Sequence, residues 1–194
     1  GEEGDECGSA SLPTASVQAV AGAYHLTASN PITVYQFNAL EYQGKGGPDG
    51  KSWAKCPGSK TCPSAGGPIG CFSYTNDASL LLPSTAMTGN YRIATMKTET
   101  YKDEFGKQQA SGGGYFVVTA TQPGTTLVKV QLSPTAGTVA GIGLGKAAGG
   151  EVLEFALEQG DATSILGEST VGSDLSGSLV QADKAVQVIV GQPC

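Results

Sequence analysis

A single histidine, five cysteines and a scatter of carboxylates are the residues of this 194-residue chain whose types and spacing bear on chemistry. Nucleophilic catalysis by Ser or Cys needs a base within hydrogen-bond reach, and His25 is the only imidazole available. It lies between Tyr24 and Leu26 in an alternating pattern with no Ser or Asp signature beside it, so it reads as a structural or surface residue rather than a base. Ser176-Gly177-Ser178 opens a strand pattern and lacks the strand-turn-helix context of a nucleophile elbow. Glu99, Asp103, Glu104, Glu151 and Glu154 would serve glycoside hydrolysis only if two of them converged across a cleft, and exposed strand positions are their default reading. No catalytic residue is assigned, and the chain reads as a non-enzyme.

The cysteines are Cys7, Cys56, Cys62, Cys71 and Cys194. Three of them sit in a Gly/Pro-rich stretch with no core to bury a thiol, where disulfides that staple the loop make better sense than free cysteines. Their spacing is not the close CxxC of zinc ribbons or redox sites, so disulfides are preferred to zinc held by three cysteines and His25. Spacing leaves the connectivity open. The pairing adopted is Cys56 with Cys62 and Cys7 with Cys71, which leaves Cys194 free or bonded to another chain. Pro48-Asp49-Gly50-Lys51-Ser52 lacks the alternating carboxylates and closing glutamate of a calcium loop. Gly141-Ile142-Gly143-Leu144-Gly145-Lys146 has glycines where a phosphate cradle has them, but Ala147-Ala148-Gly149-Gly150 breaks the helix that must follow. Neither a metal nor a cofactor is expected.

The elements that would position these residues are strands. Glycine is abundant, at 29 residues, and helix formers are sparse, so short strands joined by tight turns are expected. With 17 acidic against 11 basic residues the chain lacks the basic footprint that binds phosphate backbones, so nucleic acid is not an expected partner. Its longest apolar runs, around Leu80–Leu82 and Val186–Val190, fall far short of the roughly 20 residues that cross a bilayer as a helix, so no transmembrane segment is expected. The beginning at Gly1 has the look of a mature terminus left by processing, which together with the loop cysteines suggests an oxidising compartment.

Residues 1–14 read as an extended acidic arm, and 15–194 as a single antiparallel β-sandwich domain of jelly-roll or Ig-like type. Residues 17–28 and 32–40 around Ser29-Asn30-Pro31 form one expected hairpin. Residues 43–71 hold too many glycines and prolines for regular structure and form a long disulfide-stapled insertion. Leu80-Leu81-Leu82 reads as a short buried strand closed by Pro83, and residues 91–100 as another strand. The clearest expected hairpin joins 115–121 to 126–132 through Pro123-Gly124, a pair suited to a type II turn. Residues 151–158 fit strand or helix locally and are assigned to strand from context. Residues 179–190 read as a hairpin turning at Ala182–Ala185. Exposed aromatics in or beside the stapled loop, Tyr42, Trp53 and Phe72, are the candidate partner contacts.

Four segments, AYHLTASNPITVYQFN (Ala23–Asn38), TNDASLLLP (Thr75–Pro83), GGYFVVTATQPGTT (Gly113–Thr126) and LSGSLVQADKAVQVIVGQPC (Leu175–Cys194), resemble in order and spacing the IgGFc-binding protein N-terminal domain family. The cysteine-bearing insertion before Phe72 resembles its bacterial branch, and the stop at Cys194 suggests a shortened member or a fragment. The resemblance implies a secreted or surface adhesion module. Immunoglobulin binding is not carried over, because no residues match an Fc-contact motif. The expected partner is a protein, or else a glycan, met at the cell surface, in the extracellular space or in the periplasm. The alternative is an accessory subunit of a larger extracytoplasmic complex, and a glycan-acting protein ranks below both.

Overall fold

The computed structural model describes residues 14–38, 63–64, 67–68, 77–102 and 105–192. The protein is all-β, 48% strand and 2% helix, as its composition predicts. In chain order the strands are β1 (Ser16–Ala19), β2 (Val34–Asn38), β3 (Pro63–Ser64), β4 (Gly67–Pro68), β5 (Asp77–Leu81), β6 (Thr88–Arg92), β7 (Thr100–Lys102), β8 (Gln108–Ala110), β9 (Tyr115–Ala120), β10 (Thr126–Gln131), β11 (Gly141–Ile142), β12 (Val152–Leu157), β13 (Ala162–Leu166) and β14 (Leu179–Gly191). A 3-10 turn occupies Ser84–Ala86. The described residues fall into two compact units, 30–81 in one and 14–29 with 82–192 in the other.

In the first unit β2 and β5 pair antiparallel, from Val34 opposite Leu81 to Asn38 opposite Asp77, and β3 pairs with β4. The partner of residues 34–38 is therefore not 17–28, and the hairpin expected around Asn30-Pro31 does not form. The β2–β5 pair instead brings together the chain on either side of the Cys/Gly/Pro-rich stretch. Leu80 and Leu82 are 52% and 57% exposed rather than buried. Among the described residues of this unit β5 pairs only with β2, which gives Leu80 no second layer, and Leu82 lies beyond the end of β5 in the other unit.

The second unit is built on an eight-stranded sheet in the order β11-β1-β13-β9-β14-β10-β12, with β6 also on β14. The aromatic and β-branched run of β9 buries Phe116, Val118 and Ala120, and β10 buries Thr126, Val128 and Val130, so both strands show a period of two. These two strands do not pair with each other. β9 lies between β13 and β14, and β10 between β12 and β14. The turn at Pro123-Gly124, with Gly124 at φ 71°, leads from one wing of the sheet to the other instead of closing a hairpin.

The 13-residue β14 makes this possible. Its first part pairs with β10, from Gln131 opposite Leu179 to Val128 opposite Ala182, and its last part with β9, from Ala120 opposite Val186 to Tyr115 opposite Gly191. Residues 182–185, expected to be a turn, lie within this strand, where its register against β6 shifts between Gln181 and Val186. The Asp183 and Lys184 side chains and the Ala185 carbonyl serve the neighbouring bend. Leu127 N donates to Asp183 Oδ1 (2.8 Å), Lys184 Nζ donates to Pro123 O (2.8 Å), and Thr121 Oγ1 donates to Ala185 O (2.8 Å). Both wings turn their inner residues, among them Phe116, Val130, Leu157, Ile165 and Val180, into one contiguous core. β12 is a strand, and Leu153, Phe155 and Leu157 all pack on the core side, a period of two that a helix would not give.

Candidate partner-binding surfaces

Tyr42, Trp53 and Phe72, with Cys7, Cys56, Cys62, Cys71 and Cys194, lie outside the described residues. His25 is exposed and lies in a non-strand segment. The serines of Ser176-Gly177-Ser178 knit loops together. Ser176 Oγ donates to Thr95 O (2.9 Å) and accepts from Thr95 N (2.9 Å), while the buried Ser178 Oγ accepts from Ser133 N (3.0 Å). In the 141–146 glycine run, Gly141 N donates to Leu144 O (2.9 Å) and Leu144 N to Gly141 O (3.2 Å), so the run is a tight turn on β11. Lys146, the would-be phosphate lysine, pairs with Glu168 at 2.6 Å.

The carboxylates are likewise dispersed. Glu99 pairs with Lys97 (3.0 Å), Glu154 with Lys129 (3.5 Å), and Glu151 Oε2 accepts from Ala148 N (2.6 Å), whereas Asp103 and Glu104 lie outside the described residues. Among the described residues no three His, Cys, Asp or Glu side chains gather as a metal site. The acid that sequence reasoning missed is Asp161, which is 8% exposed. Its Oδ1 accepts from Ala21 N (2.8 Å) and its Oδ2 from Glu158 N (3.0 Å), pinning the β1 exit to the β12–β13 turn. It also holds Ala21 in a left-handed conformation at φ 49° that a non-glycine residue adopts only under constraint.

Asp174 organises a second loop cluster. Its Oδ1 accepts from Ser176 N (2.8 Å) and from Thr95 Oγ1 (3.0 Å). Burial alone would raise its pKa, but the Ser176 backbone and hydroxyl, Thr95 and the charge of Lys97 together hold it below the ordinary carboxylate value. A folded-state pKa below the unfolded one contributes stability at pH above the unfolded value, and that contribution is lost as pH falls through the folded value. On acidification from about pH 6 to about pH 3, the wild type is therefore expected to lose more stability than Asp174→Asn, which keeps an acceptor but does not titrate. Urea unfolding of both proteins across that range checks this, and parallel curves would remove Asp174 from the acid response.

The two wings present different outer faces. On β12, β10, β14 and β6 the outward residues include Glu154, Lys129, Asp183 and Arg92, and a shallow depression of about 400 Å3 is lined by Leu127, Val128, Lys129, Glu154 and Phe155. On the other wing the register carries one row across five strands. Ile142 lies beside Val17, Val17 opposite Ser164, Ser164 opposite Val117, and Val117 opposite Ile189. The flanking rows, Ala19-Ala162-Thr119-Gln187 and Leu166-Tyr115-Gly191, contain no charged residue either. Ile142 is 73% exposed, so this face offers apolar contact area that is cheap to desolvate.

The described residues thus define an all-β module that displays one charged and one uncharged sheet face, with the serines and carboxylates described above bonded to strands and turns. The chain belongs to the IgGFc binding protein family, whose model matches residues 77–194, more than half of its length. That family is one of binding domains rather than enzymes. No curated protein and no solved structure matches the chain. The matched stretch begins at β5, yet β1 stands between β11 and β13, so the sheet draws on residues that precede it. No helix of the described residues is long and apolar enough to cross a membrane.

Proposed function

We propose that this protein is a non-catalytic, secreted or surface-displayed β-sandwich that binds a protein partner in an adhesive role. The observation that carries this reading is membership of a binding-domain family over residues 77–194. We place the partner contact on residues 43–71 and their immediate flanks, with Trp53 in the stretch and Tyr42 and Phe72 beside it as anchors. Two disulfides, among Cys7, Cys56, Cys62 and Cys71, would pre-organise this stretch and lower the ordering cost of binding. The β2–β5 pair supports the arrangement, because it closes the chain on either side of that stretch with backbone hydrogen bonds. The uncharged outer row from Ile142 to Ile189 favours a second reading, an accessory subunit packed into a larger extracytoplasmic complex.

Affinity capture from the native source tests both readings. Trp53→Ala is expected to reduce captured partner about tenfold or more, as loss of an aromatic anchor does, with an unchanged thermal midpoint. Reduction and alkylation of the cysteines should reproduce that loss. A Trp53→Ala protein that captures normally, or that is only less stable, makes the aromatic a packing residue. If Ile142→Lys abolishes capture instead, the subunit reading replaces the loop-centred one.

A further inference from the structure

The lateral edges of the large sheet are finished unequally. A strand edge exposes alternate N–H and C=O groups that template another strand unless they are blocked. On β6 the edge is closed from within at Thr88 and Asn90, which leaves only the backbone groups of Arg92 facing outward. Thr88 Oγ1 accepts from Asn90 N (3.3 Å) and donates to Asn90 O (3.0 Å), and Thr88 N donates to Tyr91 OH (3.0 Å). On β11 the reciprocal Gly141–Leu144 bonds occupy the edge.

β12 differs. Leu132 N donates to Glu151 O (2.9 Å), which sets the phase of the β10–β12 ladder. Leu153, Phe155 and Leu157 therefore direct their backbone groups at β10, while Val152, Glu154 and Ala156 direct theirs away from the sheet. Ala156 O is taken by Gln18 Nε2 at 2.8 Å. The N–H and C=O groups of Val152 and Glu154 have no partner among the described residues.

We propose that two copies of this chain pair edge to edge through β12, antiparallel about Leu153, with Val152 of each opposite Glu154 of the other. The open groups of Val152 and Glu154 are self-complementary, since a two-fold pairing about Leu153 matches both N–H and both C=O groups of these residues on one copy with those on the other. A pairing centred on Glu154 is disfavoured on two counts. It sets two carboxylates directly opposite, and it turns Val152 toward Ala156, whose carbonyl Gln18 already holds. In the favoured register each Glu154 keeps Lys129 at 3.5 Å, so the seam carries two balanced ion pairs. Gly150, at φ 81°, ends the strand on the near side and limits the contact to this short segment. So small an interface gives a weak dimer, formed at submillimolar concentration and dissociated on dilution.

The full chain is tested by sedimentation equilibrium from low to high micromolar concentration, with non-reducing electrophoresis to exclude a covalent dimer. The wild type is expected to dimerise with rising concentration. Glu154→Pro removes an N–H that makes no bond to β10, is tolerated at an edge, and is expected to shift dimerisation at least tenfold to higher concentration with an unchanged thermal midpoint in dilute solution. Amide hydrogen exchange of the wild type provides a readout independent of the variant. At high concentration, exchange at Val152 and Glu154 should slow about tenfold or more while Leu153, already bonded to β10, changes little. A protein that stays monomeric throughout, or a dimer that leaves the Val152 and Glu154 amides unprotected, overturns the proposal. Protection at these two amides that requires another protein from the native source, with the chain alone monomeric, overturns it in favour of a foreign strand.

Discussion

Gly141→Ala is expected to destabilise the protein by about 3 kcal/mol, lowering the thermal midpoint by roughly 10 °C, whereas Gly145→Ala four residues on is expected to cost nothing. A Cβ on Gly141 would fall 1.6 Å from Ser16 O and 2.6 Å from Ser16 C, closer than atoms can approach. The obstacle is backbone, and it cannot step aside. Ser16 is held by its pairing with Gly141 in the β1–β11 ladder and by its own hydroxyl, which donates to Val139 O and accepts from Leu166 N (3.1 Å). Relief of the clash therefore breaks either the ladder or the hydroxyl bonds of a fully buried side chain. At Gly145 a Cβ meets nothing within 4 Å and the backbone is not left-handed, so alanine there only restricts the unfolded chain. Urea denaturation of the two variants side by side measures the contrast. Equal effects would mean that the run is an undifferentiated flexible loop.

Phe116→Ala is expected to cost about 4 kcal/mol, while Val117→Ala on the same strand costs under about 1 kcal/mol. Phe116 is 0% exposed and stands on β9 opposite Ile165 of β13 and Val190 of β14. Removing the ring leaves a cavity between two strands whose hydrogen bonds prevent collapse. Val117 points to the outer face, where water replaces whatever a smaller side chain leaves. Equilibrium unfolding in urea reports both values, and a ratio near one would contradict the assignment of inner and outer faces on β9.

On β9 only burial separates Val117 from the equally apolar Val118, whereas on β10 the inward side was legible in the alternation of Val128 and Val130 with Lys129 and Gln131. The pairing of those strands was not. Alternation encodes which side of a strand faces the core, but it carries no term for the neighbour, and a Pro-Gly turn suits a hairpin and a crossing between wings equally well. The same ambiguity affected Ala182–Ala185, whose Asp183 and Lys184 suit a turn but instead bond the bend at residues 121–127 as β14 passes it. The link from Asp161 to Ala21 left no local signal, because the backbone it satisfies there lies 140 residues away. The edge groups of Val152 and Glu154 were equally invisible, since their freedom follows from the phase of the β10–β12 ladder and from a glutamine on another strand.

The sequence by itself determined the all-β class and the inward side of β10, and the resemblance in its quoted segments led to the binding-domain family. These rest on local properties, namely side-chain shape, period two and turn chemistry. Only the tertiary structure decided that β14 serves both wings, that one sheet face is free of charge, and that β12 keeps an open edge. Each of these depends on which distant strand lies alongside, and register is a property of pairs of segments rather than of any one of them.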